Sequence, residues 1–100
     1  MTDPERERLA LLMEEMGEAL HMIGKTLRHG FESTHPDGGP TNRASLCKEL
    51  SHVAWAIDFC LECGDVAENL FDYHKAAKAF NVQKYLHCRH EKTKRVDCKP

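Results

Sequence analysis

Two segments with helical apolar periodicity, residues 9–27 and 46–61, constrain the fold of this chain most. Apolar side chains recur in each at spacings of three and four residues, which predicts two amphipathic helices. Beside each apolar stripe stand two metal-capable side chains three residues apart: Glu15, Glu18, Glu49 and His52. Residues at this spacing point the same way on a helix, so two such helices packed face to face would bring three carboxylates and an imidazole together. Because grouped carboxylates need a cation or hydrogen bonds to offset their repulsion, we predict a divalent-metal site in a helical bundle.

Residues that cap helices divide the chain further. Thr2 or Asp3 can cap the first helix, which should end near Gly30 because glycine readily takes the left-handed cap conformation. Residues 31–41 are rich in turn formers and predict a long loop, of the kind that often serves as a lid or a binding segment.

The second and third helices follow this loop. Thr41 or Asn42 can cap the second helix, and Asp65 can cap a third that we expect to continue through Leu86. Residues 88–100 are polar and basic and predict a flexible tail. No segment indicates a strand, so the predicted fold is all-α.

Composition limits what the protein can be. A length of 100 residues predicts one domain, residues 1–100, small enough to gain stability from oligomerisation. A content of 41% hydrophobic and 30% charged residues is typical of a soluble globular protein. With no long apolar run and a charged N-terminus, we expect a cytoplasmic protein without a membrane segment. The net charge of −2 argues against binding a nucleic acid polymer.

The metal-capable residues also carry a family resemblance. Glu14-Glu15-x-x-Glu18 followed by Glu49-x-x-His52 resembles the EExxE…ExxD signature of the MazG-like nucleoside triphosphate pyrophosphohydrolases. The segment from Gly24 to Gly30 is similar to a K-x-L-R-x-G segment of small phage and integron-type members, and the resemblance extends over residues 5–89. It implies an all-α fold in which three main helices pair with a second subunit into a four-helix-bundle-like dimer or dimer of dimers.

The resemblance implies a reaction and roles for named residues. Family members hydrolyse nucleoside triphosphates between the α and β phosphates, as housecleaning of the nucleotide pool, with Mg²⁺ or Mn²⁺. Glu15, Glu18, Glu49 and His52 would bind the metal, and Glu14 would orient or deprotonate the attacking water. The implied substrate-binding residues are Lys25, Arg28, Asn42, Lys75, Lys78, Lys84 and Trp55. Among them, Trp55 would stack on the base. The implied partners are a nucleoside triphosphate and further copies of the chain, as a homodimer or homotetramer.

One departure from the family pattern leaves alternatives open. The signature ends in Asp, whereas this chain has His52, and an imidazole suits later transition metals better than Mg²⁺. The substitution is therefore compatible with a shift toward Mn²⁺, or with a catalytically degenerate member that only binds nucleotides. It is also compatible with a carboxylate and histidine di-metal redox bundle, because Glu49-x-x-His52 has the spacing used in di-iron proteins.

The five cysteines allow one further alternative. Cys60-x-x-Cys63 could form a structural zinc site together with cysteines and histidines near the C-terminus: His87, Cys88, His90 and Cys98. Such a site would indicate a binding module rather than an enzyme. Reduced thiols are the simpler interpretation in a chain without a secretory signal.

Overall fold

The computed structural model describes residues 1–88 and 97–98, and this part of the chain is all-helical. It contains three α-helices: α1 (Asp3–His29), α2 (Asn42–Glu62) and α3 (Glu68–Val82). No β-strand occurs within the described residues, so the predicted all-α class is confirmed. The predicted flexible tail, residues 88–100, lies outside the described residues apart from Cys88, Asp97 and Cys98.

The ends of α1 and α2 are determined by local hydrogen bonds. Thr2 forms a capping box, in which its hydroxyl accepts from the amide of Glu5 while the Glu5 carboxylate accepts from the amide of Thr2 at 2.7 Å. Thr41 caps α2 by accepting from the amide of Ala44. Gly30 ends α1 with a φ of +89°, a conformation that side chains other than glycine rarely adopt.

Packing within the chain is almost entirely between α1 and α2, which form a helical hairpin. The side chains buried at their contact are small or of medium size: Ala19, Met22, Thr26, Asn42, Ala56 and Cys60. Glu15, Glu49 and His52 lie half-buried on the same two faces. The rows that carry the metal-capable residues therefore face each other.

Most of the apolar stripe of α1 does not face α2. We call its exposed part the α1 seam, and it comprises Leu9, Met13, Met16, Leu20, Ile23 and Leu27. Leu27 is 82% exposed and Met13 is 71% exposed. The stripe and the metal row are neighbouring faces of one helix, and only the metal row has a partner within the described chain.

Helix α3 begins later and ends earlier than the sequence suggested. Ala67 stands at its N-cap without a side-chain hydrogen bond, and the helix ends at Val82 rather than continuing through Leu86. Asp65, the expected cap, instead accepts two hydrogen bonds from the guanidinium of Arg8, at 2.6 and 2.8 Å. This pairing fastens the start of α1 to the turn that follows α2. Among the described residues, no helix is both long and apolar enough to cross a membrane.

Candidate metal centre

Four side chains of α1 and α2 meet at the middle of the hairpin. Glu15 and Glu18 come from α1, and Glu49 and His52 come from α2. One ligand atom from each lies within 4.8 Å of all the others, so we call these four residues the metal cluster. The two i, i+3 pairs converge because α1 and α2 pack through the faces that carry them.

The metal cluster contains buried oxygen atoms whose hydrogen-bonding capacity is unused. Oε2 of Glu15 and Oε2 of Glu49 are inaccessible to solvent and have no hydrogen-bond partner among the described residues. His52 does not satisfy them, since its Nδ1 lies 3.5 Å from the Glu15 oxygen and 3.9 Å from the Glu49 oxygen. A buried carboxylate oxygen without a partner is costly, and binding a cation removes that cost.

Electrostatic repulsion within the cluster affects the third carboxylate. Glu18 is exposed, and a hydrogen bond shared with Glu49, together with the negative charge of Glu15, raises the pKa of its carboxyl group. The neighbouring carboxylates therefore disfavour the charged form of Glu18. Three carboxylates and one imidazole with atoms this close form a site that could hold a metal ion.

Glu14 and Trp55, predicted to act on water and on the base, lie near the metal cluster on α1 and α2. Glu14 is exposed and close enough to contribute to the electrostatic environment of Glu18. Trp55 lies one turn after His52, is half-exposed, and stacks on Phe59 with ring centroids 5.3 Å apart. It therefore offers an aromatic face near the cluster.

Lys25 and Asn42 lie at the end of the hairpin where α1 leads into α2. Both line a polar pocket, whereas the exposed Arg28 does not contribute to its lining. The Asn42 amide is buried and donates to the carbonyl of Gly30 at 2.9 Å, so it fastens the loop to α2. This hydrogen bond gives Asn42 a structural role beside the predicted role in binding substrate.

The predicted lysines of the C-terminal part lie on or after α3. Lys75 lines an apolar groove at the start of α3, and Lys84 lies over the ring of Phe80 at 5.4 Å. Lys78 is exposed on α3. No described contact joins these three lysines to the metal cluster, because α3 makes almost no contact with α1 or α2.

The cysteines do not assemble into a metal site in the described part of the chain. Cys60 is buried between the helices, where burial raises the pKa of its thiol, whereas Cys63, Cys88 and Cys98 are exposed. Within the described residues, the only group of side chains close enough to hold a metal ion is the metal cluster. His90, part of the proposed zinc set, lies outside the described residues.

Two features of the structure have no local signal in the sequence. The Arg8–Asp65 pair is largely buried, and its hydrogen bonds lower the pKa of Asp65, but the two residues are 57 positions apart and no local pattern links them. The polar pocket near Lys25 also includes His29 and His35, whose positions depend on how the loop folds.

Comparison with known proteins gives no match to this chain among family models, curated proteins or solved structures.

Proposed function

We propose that this protein is a metal-dependent nucleoside triphosphate pyrophosphohydrolase that resembles the MazG-like family and cleaves ribo- or deoxynucleoside triphosphates to monophosphate and pyrophosphate. The observation that carries the proposal is the metal cluster, with its two buried and unpartnered carboxylate oxygens. Such a cluster suits a divalent cation, and Mg²⁺ held by a few carboxylates keeps coordination positions open for phosphate oxygens. The order of Glu14, Glu15, Glu18 and Glu49 along the chain matches the family signature.

In the proposed reaction, some residues bind the metal ion and another activates water. Glu15, Glu18, Glu49 and His52 would hold the cation, which would supply positive charge against the negative charge that develops on the phosphates. Glu14 lies beside the cluster and is exposed, so its carboxylate is free to orient a water molecule or accept its proton. The imidazole of His52 favours Mn²⁺ over Mg²⁺, because nitrogen ligands suit later metals better than Mg²⁺.

Substrate binding uses groups on either side of the cluster along the hairpin. Trp55 presents a half-exposed ring one turn from His52 and stacks a base in the proposal. Lys25 and Arg28 follow the cluster along α1 and contact phosphate oxygens. Lys75, Lys78 and Lys84 lie on or after α3, so they reach a phosphate chain only if a second subunit brings α3 to the site.

The assembly that we propose is a homodimer or homotetramer in which the α1 seam packs against another copy. Within the described chain, the buried apolar residues are only Ala19, Met22, Ala56 and Cys60, a small core for a domain of this size. The α1 seam repeats at spacings of three and four over residues 9–27, which is the pattern that packs into a neighbouring helix of a bundle. Pairing two hairpins through it would create a four-helix bundle.

Light scattering after size-exclusion chromatography tests this assembly. We expect wild type to elute as a dimer or tetramer at micromolar concentration, and Leu20→Glu to shift the protein to monomer, because the charge would be buried in the seam. Ala79→Glu places the same charge at an exposed position of α3, outside the α1 seam, and should leave the oligomer intact. A wild-type monomer would contradict the proposed assembly.

Turnover is tested by measuring pyrophosphate release with Mg²⁺ and with Mn²⁺. Glu49→Gln removes one carboxylate from the metal cluster and should abolish release without changing the circular dichroism spectrum. Glu62→Gln makes the same chemical change at an exposed position of the same helix and should retain full activity. Full activity in Glu49→Gln would remove the metal cluster from the mechanism.

A di-metal redox protein is the second candidate, and the position of His52 favours it. Its Nδ1 lies within the cluster on α2, beside Glu15 and Glu49, as a ligand of a di-iron bundle would. Aerobic loading with iron separates the two functions. An oxidised di-iron centre absorbs in the near ultraviolet, whereas the hydrolase releases pyrophosphate. A catalytically degenerate nucleotide-binding member would bind a triphosphate without either signal.

A further inference from the structure

A polar pocket lies at the end of the hairpin, away from the metal cluster. The C-terminal part of α1, the loop and the first residue of α2 enclose about 360 Å³. We call it the loop pocket, and its lining residues are Lys25, His29, Ser33, Thr34, His35, Pro36 and Asn42. This volume lies in the lower part of the range of roughly 300–1,000 Å³ typical of small-molecule pockets.

The side chains that line the loop pocket include an ammonium, two imidazoles, two hydroxyls and an amide, together with Pro36 and the apolar parts of these side chains, and no carboxylate. The half-buried Lys25 forms no ion pair with any described acidic side chain. The Nδ1 atom of His35 accepts from the amide of Asp37 at 3.2 Å and lies 3.5 Å from the Asp37 carboxylate, which is exposed and does not line the pocket. In a neutral ring that accepts through Nδ1, the proton lies on Nε2. Nε2–H is a donor, and the hydroxyls of Ser33 and Thr34 add two more.

The N-terminus of α2 favours an anion electrostatically, but its backbone amides are not available to bind one. This end of α2 faces the loop, and the helix dipole there favours a negative charge. The first amides are all engaged within the protein: Asn42 donates to Ser33 at 2.9 Å, Arg43 to Phe31 at 2.8 Å, and Ala44 to Thr41. A ligand in the loop pocket would therefore be held by side chains.

The loop that forms the pocket wall is fastened at both ends. The Asn42 side chain holds the carbonyl of Gly30, and the Arg43 guanidinium lies 4.3 Å from the ring centroid of Phe31. Arg43 also pairs with Glu32 at 2.9 Å. A wall held in this way keeps the pocket formed without a ligand, so binding requires little ordering of the chain.

We propose that the loop pocket is an oxyanion site that binds a phosphate-class anion without metal. Lys25 supplies the positive charge, while His29, His35, Ser33 and Thr34 supply hydrogen bonds, and an unpaired half-buried ammonium favours the anion. Lys25 follows Glu18 by seven residues, which is about 10 Å along α1. The pocket is thus separate from the metal cluster, although Lys25 is also one of the residues proposed above to contact substrate phosphates. Anion binding in the pocket is measured without metal and therefore does not require turnover.

Nuclear magnetic resonance titration of the full chain tests the proposal, with inorganic phosphate and with pyrophosphate, in the presence of a chelator. We expect saturable shifts at His29, Ser33, Thr34 and His35. Lys25→Gln should weaken binding roughly tenfold, because it removes a charge-assisted hydrogen bond. Lys48→Gln removes an exposed lysine of α2 and should leave the affinity unchanged. His35→Ala, on the loop, provides a second variant that leaves the helices unchanged.

The titrations show whether the loop pocket binds an anion and whether it prefers pyrophosphate or phosphate. Tighter binding of pyrophosphate supports a site for a phosphate chain, whereas tighter binding of phosphate supports a site for the free ion. Glu49→Gln should retain anion binding even though it disrupts the metal cluster. The absence of saturable shifts with either anion would overturn the proposal, as would an equal loss of affinity in Lys25→Gln and Lys48→Gln.

Discussion

The substitution Glu49→Gln should change the stability of this protein in opposite directions with and without metal. The ligand atoms of Glu15 and Glu49 lie within 4.8 Å of each other, and each side chain is only 17% exposed. Replacing one carboxylate by an amide removes their repulsion and provides an N–H donor for the unpartnered oxygen of Glu15. We therefore expect the variant to be more stable than wild type in a chelator.

The size of this gain follows from the separation of the charges. Two unit charges 4.8 Å apart interact with about 3.5 kcal/mol at an effective dielectric constant of roughly 20. Solvent screening reduces this repulsion, so we expect a gain of about 1–2 kcal/mol. A metal at about 100 times its Kd would stabilise wild type by about 2.7 kcal/mol, and Glu49→Gln would lose most of that gain.

Urea unfolding at fixed protein concentration, with a chelator and with excess Mn²⁺, measures both effects. The order of stability should reverse between the two conditions: Glu49→Gln is more stable in the chelator, and wild type is more stable in Mn²⁺. Glu62→Gln carries the same substitution at an exposed site and should follow wild type within about 0.5 kcal/mol in both conditions. If Glu49→Gln were less stable than wild type in the chelator, the argument from buried, unpartnered carboxylates would be refuted.

Two further predictions concern the hairpin itself. Arg8 lowers the pKa of Asp65, so their pairing stabilises the fold above the ordinary Asp pKa of about 3.9 and is lost as pH falls through the lower folded pKa. Arg8→Met leaves the Asp65 carboxylate, 6% exposed, without its cation and should cost about 3 kcal/mol near neutral pH. Urea unfolding at several pH values should show this difference shrinking below about pH 4, and a difference independent of pH would contradict the assignment. Gly30→Ala should lower the free energy of unfolding by about 1–3 kcal/mol, because φ is +89° and ψ is 165° at this position; a thermal melt unchanged from wild type would argue against strain there.

Local signals predicted the parts of this fold that depend on residues near each other in the chain. Thr2 and Thr41 cap helices where the sequence allowed, and Gly30 ends α1. The meeting of the two metal-capable pairs was also predictable, because i, i+3 spacing places each pair on one helical face. These features need no knowledge of the tertiary structure beyond the packing of two helices.

Contacts between residues far apart in the chain could not be predicted from the sequence. Apolar periodicity predicts a face of α1 suited to packing, but it does not distinguish a partner in the same chain from one in another copy. Asp65 has the residue type of a helix cap, yet it pairs with Arg8 because the hairpin brings the two together. His35 joins the loop pocket through a loop whose shape depends on hydrogen bonds to α2, such as that between Asn42 and Gly30.

Phosphorus nuclear magnetic resonance of the products from a panel of ribo- and deoxynucleoside triphosphates tests the proposed function most directly. The reactions would be run with Mg²⁺ and with Mn²⁺, and Glu49→Gln would control for contaminating enzymes. The proposal predicts monophosphate and pyrophosphate from at least one nucleotide, with faster turnover in Mn²⁺ because it assigns His52 as a metal ligand. Diphosphate and phosphate as products, or no turnover with either metal, would contradict the proposed pyrophosphohydrolase.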